Sequence, residues 1–275
     1  MDAFLSDYVR LLLMLCLPPI VFGLAVWLLY RVYCLLVGDG QGRPLLAATA
    51  ALSTPLRELG HLAVCMISFH RVEDACLLDL RDPNGEWGFV EHSYNPRNPV
   101  AVLGNFLYAL GPVITGLFAV FIICSTCFYG VLPAFFEEVG TLPQAGGSIG
   151  AYAGTVFSLI PALFSVGDAP LLLRILGCVL LLAVCSGIYV SLSELKDAVG
   201  GALIFAVLVV PVVGILQLLD ARVTRIAMDG IRSYTVGVVS LFTPVLLAMA
   251  ALVVIGFVFR LFGTLFSRGD AGGAV

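Results

Sequence analysis

Residues 45–69 read LLAATAALSTPLRELGHLAVCMISF, an apolar run long enough to cross a bilayer that carries Arg57, Glu58 and His61 at its middle. Ionisable groups in such a position are costly in hydrocarbon. They face a protein interior or a water-filled cavity, and they mark a functional site whose partners must be found. On a helix, Arg57 and His61 stand at i and i+4 on one face, with Glu58 beside them three residues before His61. This is the geometry of H-E-x-x-H, in which two histidines one turn apart hold zinc and the glutamate activates its water.

Working outward, the rest of the chain has the same solvent preference. Of 275 residues, 60 % are apolar and only 12 % are charged, and the mean hydropathy is +1.07. Soluble domains carry about 25 % charged residues. The net charge of −4 is small and spread out, and no basic stripe points to nucleic acid. Apolar runs at 8–37, 45–69, 100–129, 171–192, 202–219 and 236–266 predict about six spanning helices, the first interrupted at Pro18-Pro19. The acidic start MDAFLSD is unlike a signal peptide, so the first helix is expected to be retained. Basic residues divide almost evenly between the two sides, which leaves orientation open. The fold class expected is an all-α polytopic membrane protein, one integral domain over 1–275.

The connections carry further expectations. Residues 75–81 and 86–92 flank Asp82-Pro83-Asn84-Gly85, whose Asp, Pro and Gly suit a type I turn, so a short β-hairpin is expected after the second helix. The stretch 149–166 is apolar but short and holds Pro161, which predicts a re-entrant or interfacial segment after the third helix. Residues 220–232, rich in arginine and aspartate, read as an exposed link. Cys124-Ser-Thr-Cys127 is an isolated C-x-x-C in an apolar run, a weak signal, and the cysteines read as small buried hydrophobes. Trp27 and Trp87 read as interfacial anchors.

The segment TPLRELGHLA at 54–63 resembles the motif helix of the site-2 protease family of intramembrane zinc metalloproteases, whose core reads H-E-x-G-H. That resemblance implies a β-hairpin after the motif helix, for which 75–92 is the candidate. It implies a later helix with Asn and Gly-Pro, similar to Gly104-Asn105 and Gly111-Pro112. It also implies a turn that donates an acidic third ligand, similar to SLSELKDAVGG at 191–201. The protease-like core would span about 45–201, with flanking helices at 8–37 and 202–266. In this frame Arg57 stands where the first zinc histidine belongs and Lys196 where the acidic ligand belongs. A guanidinium offers a metal no lone pair. His61 remains as a ligand, and Asp197, Glu194 or His92 are possible co-ligands if any metal binds. His70 is a poor one, because a continuous helix would turn it nearly opposite His61. Glu58 is the candidate catalytic group, and Asn105 is expected to bond within the core.

The ligand count favours a non-catalytic protease-like protein of a plasma or bacterial inner membrane. It would have no cofactor and would bind another membrane protein or its transmembrane segment. The alternatives are an active zinc metalloprotease with an atypical ligand set and a small transporter or channel. A transporter lacks support from any internal repeat. A cation at position 57 needs an anion, and Glu58, Glu194 or Asp197 is expected to supply it.

Overall fold

The computed structural model describes residues 2–38, 42–82, 87–141, 149–165, 169–219 and 221–270. It is built from α1 (Asp2–Val37), α2 (Arg43–Ile67), β1 (Arg71–Cys76), β2 (Phe89–Ser93), α3 (Pro99–Cys127), α4 (Val131–Thr141) and α5 (Ile149–Ser165). These are followed by α6 (Leu171–Cys185), α7 (Leu192–Asp197), α8 (Val199–Leu218) and α9 (Ala221–Asp270). Among the described residues, four stretches are long and apolar enough to cross a membrane: Phe4–Val37, Pro99–Cys127, Val199–Leu218 and Arg222–Phe262. Two of the six expected spans do not meet that standard alone. The motif helix α2 is diluted by its polar residues, and α6 has 15 residues.

Several boundaries depart from the sequence reading for local reasons. Helix α1 runs unbroken through Pro18 and Pro19. A spanning helix tolerates proline where neighbouring helices and side chains re-satisfy the freed carbonyls. The segment after α3 forms α4 and, over the stretch read as re-entrant or interfacial, α5, with residues 142–148 between them outside the described residues. The link expected at 220–232 is helical from Ala221 and continuous with the last span, since its arginines favour a helix; Asp220 lies outside the described residues. The hairpin is present but pairs nearer its base, from Arg71↔Ser93 to Cys76↔Phe89 with a bulge between Val72 and Asp74. Of its expected turn, 83–85 lie outside the described residues.

Helix α3 is the hub, packed against α2, α6, α8 and α9, while α1 lies along α9. The apolar core gathers Val113, Leu117 and Val120 of α3 with Val184 and Cys185 of α6 and Phe242 and Met249 of α9. The α2–α3 contact is close. A Cβ on Gly60 would fall 2.6 Å from the Gly111 carbonyl, and one on Gly111 would fall 2.7 Å from the Gly60 oxygen. Small residues allow this approach of backbones, which is how helices associate in lipid. The Thr115 hydroxyl seals the same seam by donating to the Leu56 carbonyl at 3.0 Å.

Helix α6 ends early. The chain turns at Ser186 and Gly187, where a Cβ on Gly187 would meet the Ser53 carbonyl at 2.5 Å, and the Ser186 hydroxyl donates to Ser53 Oγ at 2.9 Å. The fourth expected span is therefore a broken one, with non-helical backbone at 188–191 before α7. Such backbone is tolerated at depth only where protein or a cavity receives it.

Gly111→Val is expected to force α2 from α3, destabilising the protein by about 1–3 kcal/mol as overpacked contacts do. Thermal unfolding in detergent, with maleimide labelling of the buried Cys65 as a second reading, measures this. Unchanged melting and labelling would remove the Gly60–Gly111 seam from the account.

Candidate functional site

The polar face of α2 meets the start of α7 directly under the break in α6. Ser191 caps α7: its hydroxyl accepts from the Glu194 N–H at 3.2 Å, and Glu194 Oε2 accepts from the Ser191 N–H at 2.8 Å. This capping box satisfies helix-end donors and fixes the glutamate rotamer. The remaining carboxylate oxygen, Oε1, is left facing α2. There it takes an ion pair from the Arg57 Nη2 group and lies 3.4 Å from His61 Nε2.

Arg57 is held from three directions. Its Nη1 donates to Glu58 Oε1 at 3.2 Å, its Nη2 pairs with Glu194, and its Cζ stands 4.9 Å from the centre of the Tyr189 ring. One cation between two carboxylates and an aromatic face is the arrangement a guanidinium fork suits. The Glu58 side chain is 2 % exposed, that of Glu194 12 % and that of Arg57 21 %. His61 is buried and stacks on Tyr108 at 4.1 Å, and the Tyr108 hydroxyl donates to the Val90 carbonyl at 3.1 Å.

Of the residues singled out from the sequence, Arg57, Glu58, His61 and Glu194 come together. Lys196 and Asp197 do not. Both lie on the exposed side of α7 and join no ion pair among the described residues. The capping geometry presents Glu194, rather than Lys196, to Arg57 and His61. His92 is separated from His61 by the Tyr108 ring, which stacks between them. Asn105 is buried on α3 and approaches His92. Cys124 and Cys127 are buried free thiols in the core.

Tyr189, Tyr108 and Trp87 were not legible as site residues. Trp87 is no interfacial anchor: it is 9 % exposed, lines a cavity of about 360 Å³ beside Arg57, Glu58, Ser53 and Tyr189, and its Nε1–H has no partner among the described residues. Arg57 Nε is a second unpaired donor there. Trp27, in contrast, is half-buried on α1 with the Arg31 Cζ 5.7 Å from its ring.

The residues present do not fit the zinc that the motif resemblance implies. His61 Nε2 and Glu194 Oε1 are adjacent potential donors, but the third place holds a guanidinium, and a catalytic zinc needs about three protein ligands. A ligating histidine also hands its other ring N–H to an acceptor. His61 Nδ1 has none. No protein-family model, curated protein or solved structure matches this chain at a significant level.

Glu194→Gln keeps the cap, because glutamine serves in a capping box, but removes the charge facing Arg57. It is expected to cost about 3–5 kcal/mol, as stranding one member of a buried pair does, whereas Arg57→Met is milder because the carboxylates can take up protons. Unfolding of both variants in detergent checks the ranking. Equal and negligible losses would mean that the ion pair holds nothing together.

Proposed function

We propose that this chain is a non-catalytic member of the site-2 protease-like class, in which a guanidinium stands in for the metal. In this reading α2 and α6 join the four longer helices to make a six-span membrane core, with the hairpin and the α6–α7 break lining a polar chamber. The observation that carries it is the ion pair itself. Arg57, at the position of the first ligand, is neutralised by the glutamate of the motif and by Glu194, at the position of the third. A permanently protonated group at the centre of that set leaves Glu58 no metal-bound water to activate.

The chamber then serves binding. Two unpaired donors, Trp87 Nε1 and Arg57 Nε, border a cavity of about 360 Å³. The carbonyls of a locally unwound transmembrane segment of a partner protein would satisfy them. Strand β1, exposed along most of its length, offers an edge to which an extended segment adds by main-chain hydrogen bonds. The active-protease alternative keeps Glu58, His61 and Glu194 in one place but has two donors where three are needed.

Two results test the proposal. Arg57→His places an imidazole one turn before His61, with Glu194 already aimed at both. That single change is expected to create zinc binding that is lost again on adding His61→Ala. Lys196 needs no change, since it lies outside the set. In the unaltered chain, Glu58→Gln is expected to leave any membrane-peptide cleavage by the purified preparation at background. Zinc held by His61 in the unaltered chain, or cleavage abolished by Glu58→Gln, would sink the non-catalytic reading. A photo-reactive residue in place of Phe89, on the cavity wall, is expected to cross-link a membrane partner's transmembrane segment in native membranes, while one in place of the outward-facing Leu172 is not.

A further inference from the structure

The chain has only three histidines, and two of them converge with a buried cysteine away from the Arg57 set. One donor atom each from Cys65, His70 and His92 lies within 4.8 Å of the others. They arrive by three routes. Cys65 sits in the last turns of α2 and has no exposed surface. His92 comes from β2, opposite Val72. His70 arrives because the helix does not continue as the sequence led one to expect. It ends at Ile67, Phe69 takes φ 58°, and the His70 N–H turns back to the Cys65 carbonyl at 3.1 Å. This is the 6→1 bond of a Schellman ending, usually made with glycine at the left-handed position.

A non-glycine residue there is strained by about 1 kcal/mol or more, and such strain points to a function held elsewhere. Phe69 itself is 73 % exposed, so its side chain packs against little of the protein. What the turn accomplishes is the return of His70 to Cys65.

The ring of His70 is also prepared. Its Nε2 lies 2.7 Å from the Ala101 carbonyl and, as the protonated nitrogen, donates to it. That leaves Nδ1 with the lone pair, buried and without a partner. A backbone carbonyl fixing the tautomer of an imidazole is the usual support of a metal-ligating histidine. His92 is partly buried, and its ring stacks on His70. The ordinary alternative is that Cys65 is a small buried hydrophobe and the histidines are stacking partners. Stacking alone does not account for the unpaired buried Nδ1 or for the strained turn.

We propose that Cys65, His70 and His92 form a metal site for a soft or borderline transition-metal ion, of the zinc(II) or copper(I) kind, that clips the hairpin to the end of α2. One sulfur and two imidazole nitrogens, with no carboxylate among them, select that class over magnesium or calcium. Ligand atoms of a tetrahedral zinc site stand about 3.5 Å apart, given bonds of 2.0–2.3 Å. The cluster therefore closes by about 1 Å. The His70 and His92 rings lie 4.8 Å apart and within 4° of parallel, so His92, the more exposed of the two, turns about its side-chain bonds to bring its lone pair round. The Cys65 thiol gives up its proton to solvent as the metal–sulfur bond forms. The site is separate from the Arg57 set, and the inference stands or falls independently of the function proposed above.

The test uses the full chain in detergent, stripped with a chelator and kept reduced, with cobalt(II) as the spectroscopic probe. One equivalent of cobalt is expected to give a near-ultraviolet thiolate-to-metal charge-transfer band, which zinc(II) or copper(I), added in separate arms, then abolishes. Whichever ion displaces cobalt at the lower concentration identifies the preferred occupant. Cys65→Ser is expected to remove the band and weaken zinc binding by more than about tenfold, since even supporting groups outside the ligand set are worth that much. His92→Ala is expected to weaken it comparably, and Cys124→Ser, a buried thiol elsewhere, to leave it unchanged. A folded, unaltered chain that gives no thiolate band overturns the proposal without reference to any variant. So does a band that survives Cys65→Ser.

Discussion

A guanidinium in the middle of an apolar helix must be neutralised, and most of what is unusual in this chain follows from that requirement. In water Arg57 and its carboxylates would be worth little to one another. Between helices the same charges stabilise only if each is matched and its remaining hydrogen-bonding capacity is met. Glu58 lies on the same helix and reaches one nitrogen, but a single adjacent carboxylate leaves the other side of the fork bare. The second anion has to come from elsewhere in the chain, so α6 cannot simply run through the membrane. It stops at Cys185, and the short capped helix α7 delivers Glu194 to the required place. The Ser191 cap and the ion pair use different oxygens of one carboxylate. Local helix chemistry and long-range electrostatics thus fix the same rotamer.

The close approach of α2 and α3 works in the same direction. With no side chain at Gly60 or Gly111 the two backbones nearly touch, which carries Tyr108 over the face of His61. From there a series of rings continues through His92 and His70 to Tyr94, each within 5.2 Å of the next. The hairpin is attached to the helices through this stack and through the Tyr108 bond to the Val90 carbonyl. Its own two strands would be marginal in isolation.

The sequence was legible where a feature depended on short-range pattern. The apolar runs located every long helix, and Asp-Pro-Asn-Gly announced a hairpin even though its pairing lies further out. The spacing of Arg57, Glu58 and His61 located the site, and the demand for a counter-ion put Glu194 among three candidates. It was not legible where the outcome depended on a contact between distant segments. The choice of Glu194 over Asp197, and the exclusion of Lys196, follow from a capping box whose orientation is set by a break in α6 that only packing on Ser53 explains. Trp87 read as an anchor because tryptophans gather at membrane–water interfaces; the hairpin folds it over the cavity instead. His70 looked misplaced because a helix that continued to residue 69 would have misplaced it. A single left-handed residue reversed that conclusion, and a phenylalanine at the position gave no warning in the sequence.

A guanidinium and a metal ion at a polar centre differ in what they can do more than in how they are held. A divalent ion and a guanidinium both gather carboxylates and both need them oriented in advance. The ion keeps a coordination position open to water and can polarise what enters it. The guanidinium spreads its single charge over a planar fork whose two terminal nitrogens are committed to carboxylates, and it does not lose its proton at any pH the chain experiences. A site of the first kind does chemistry and can be emptied. The second kind is a permanent strut that leaves spare donors at its edge. Arg57 Nε and, beside it, Trp87 Nε1 are donors without a partner among the described residues.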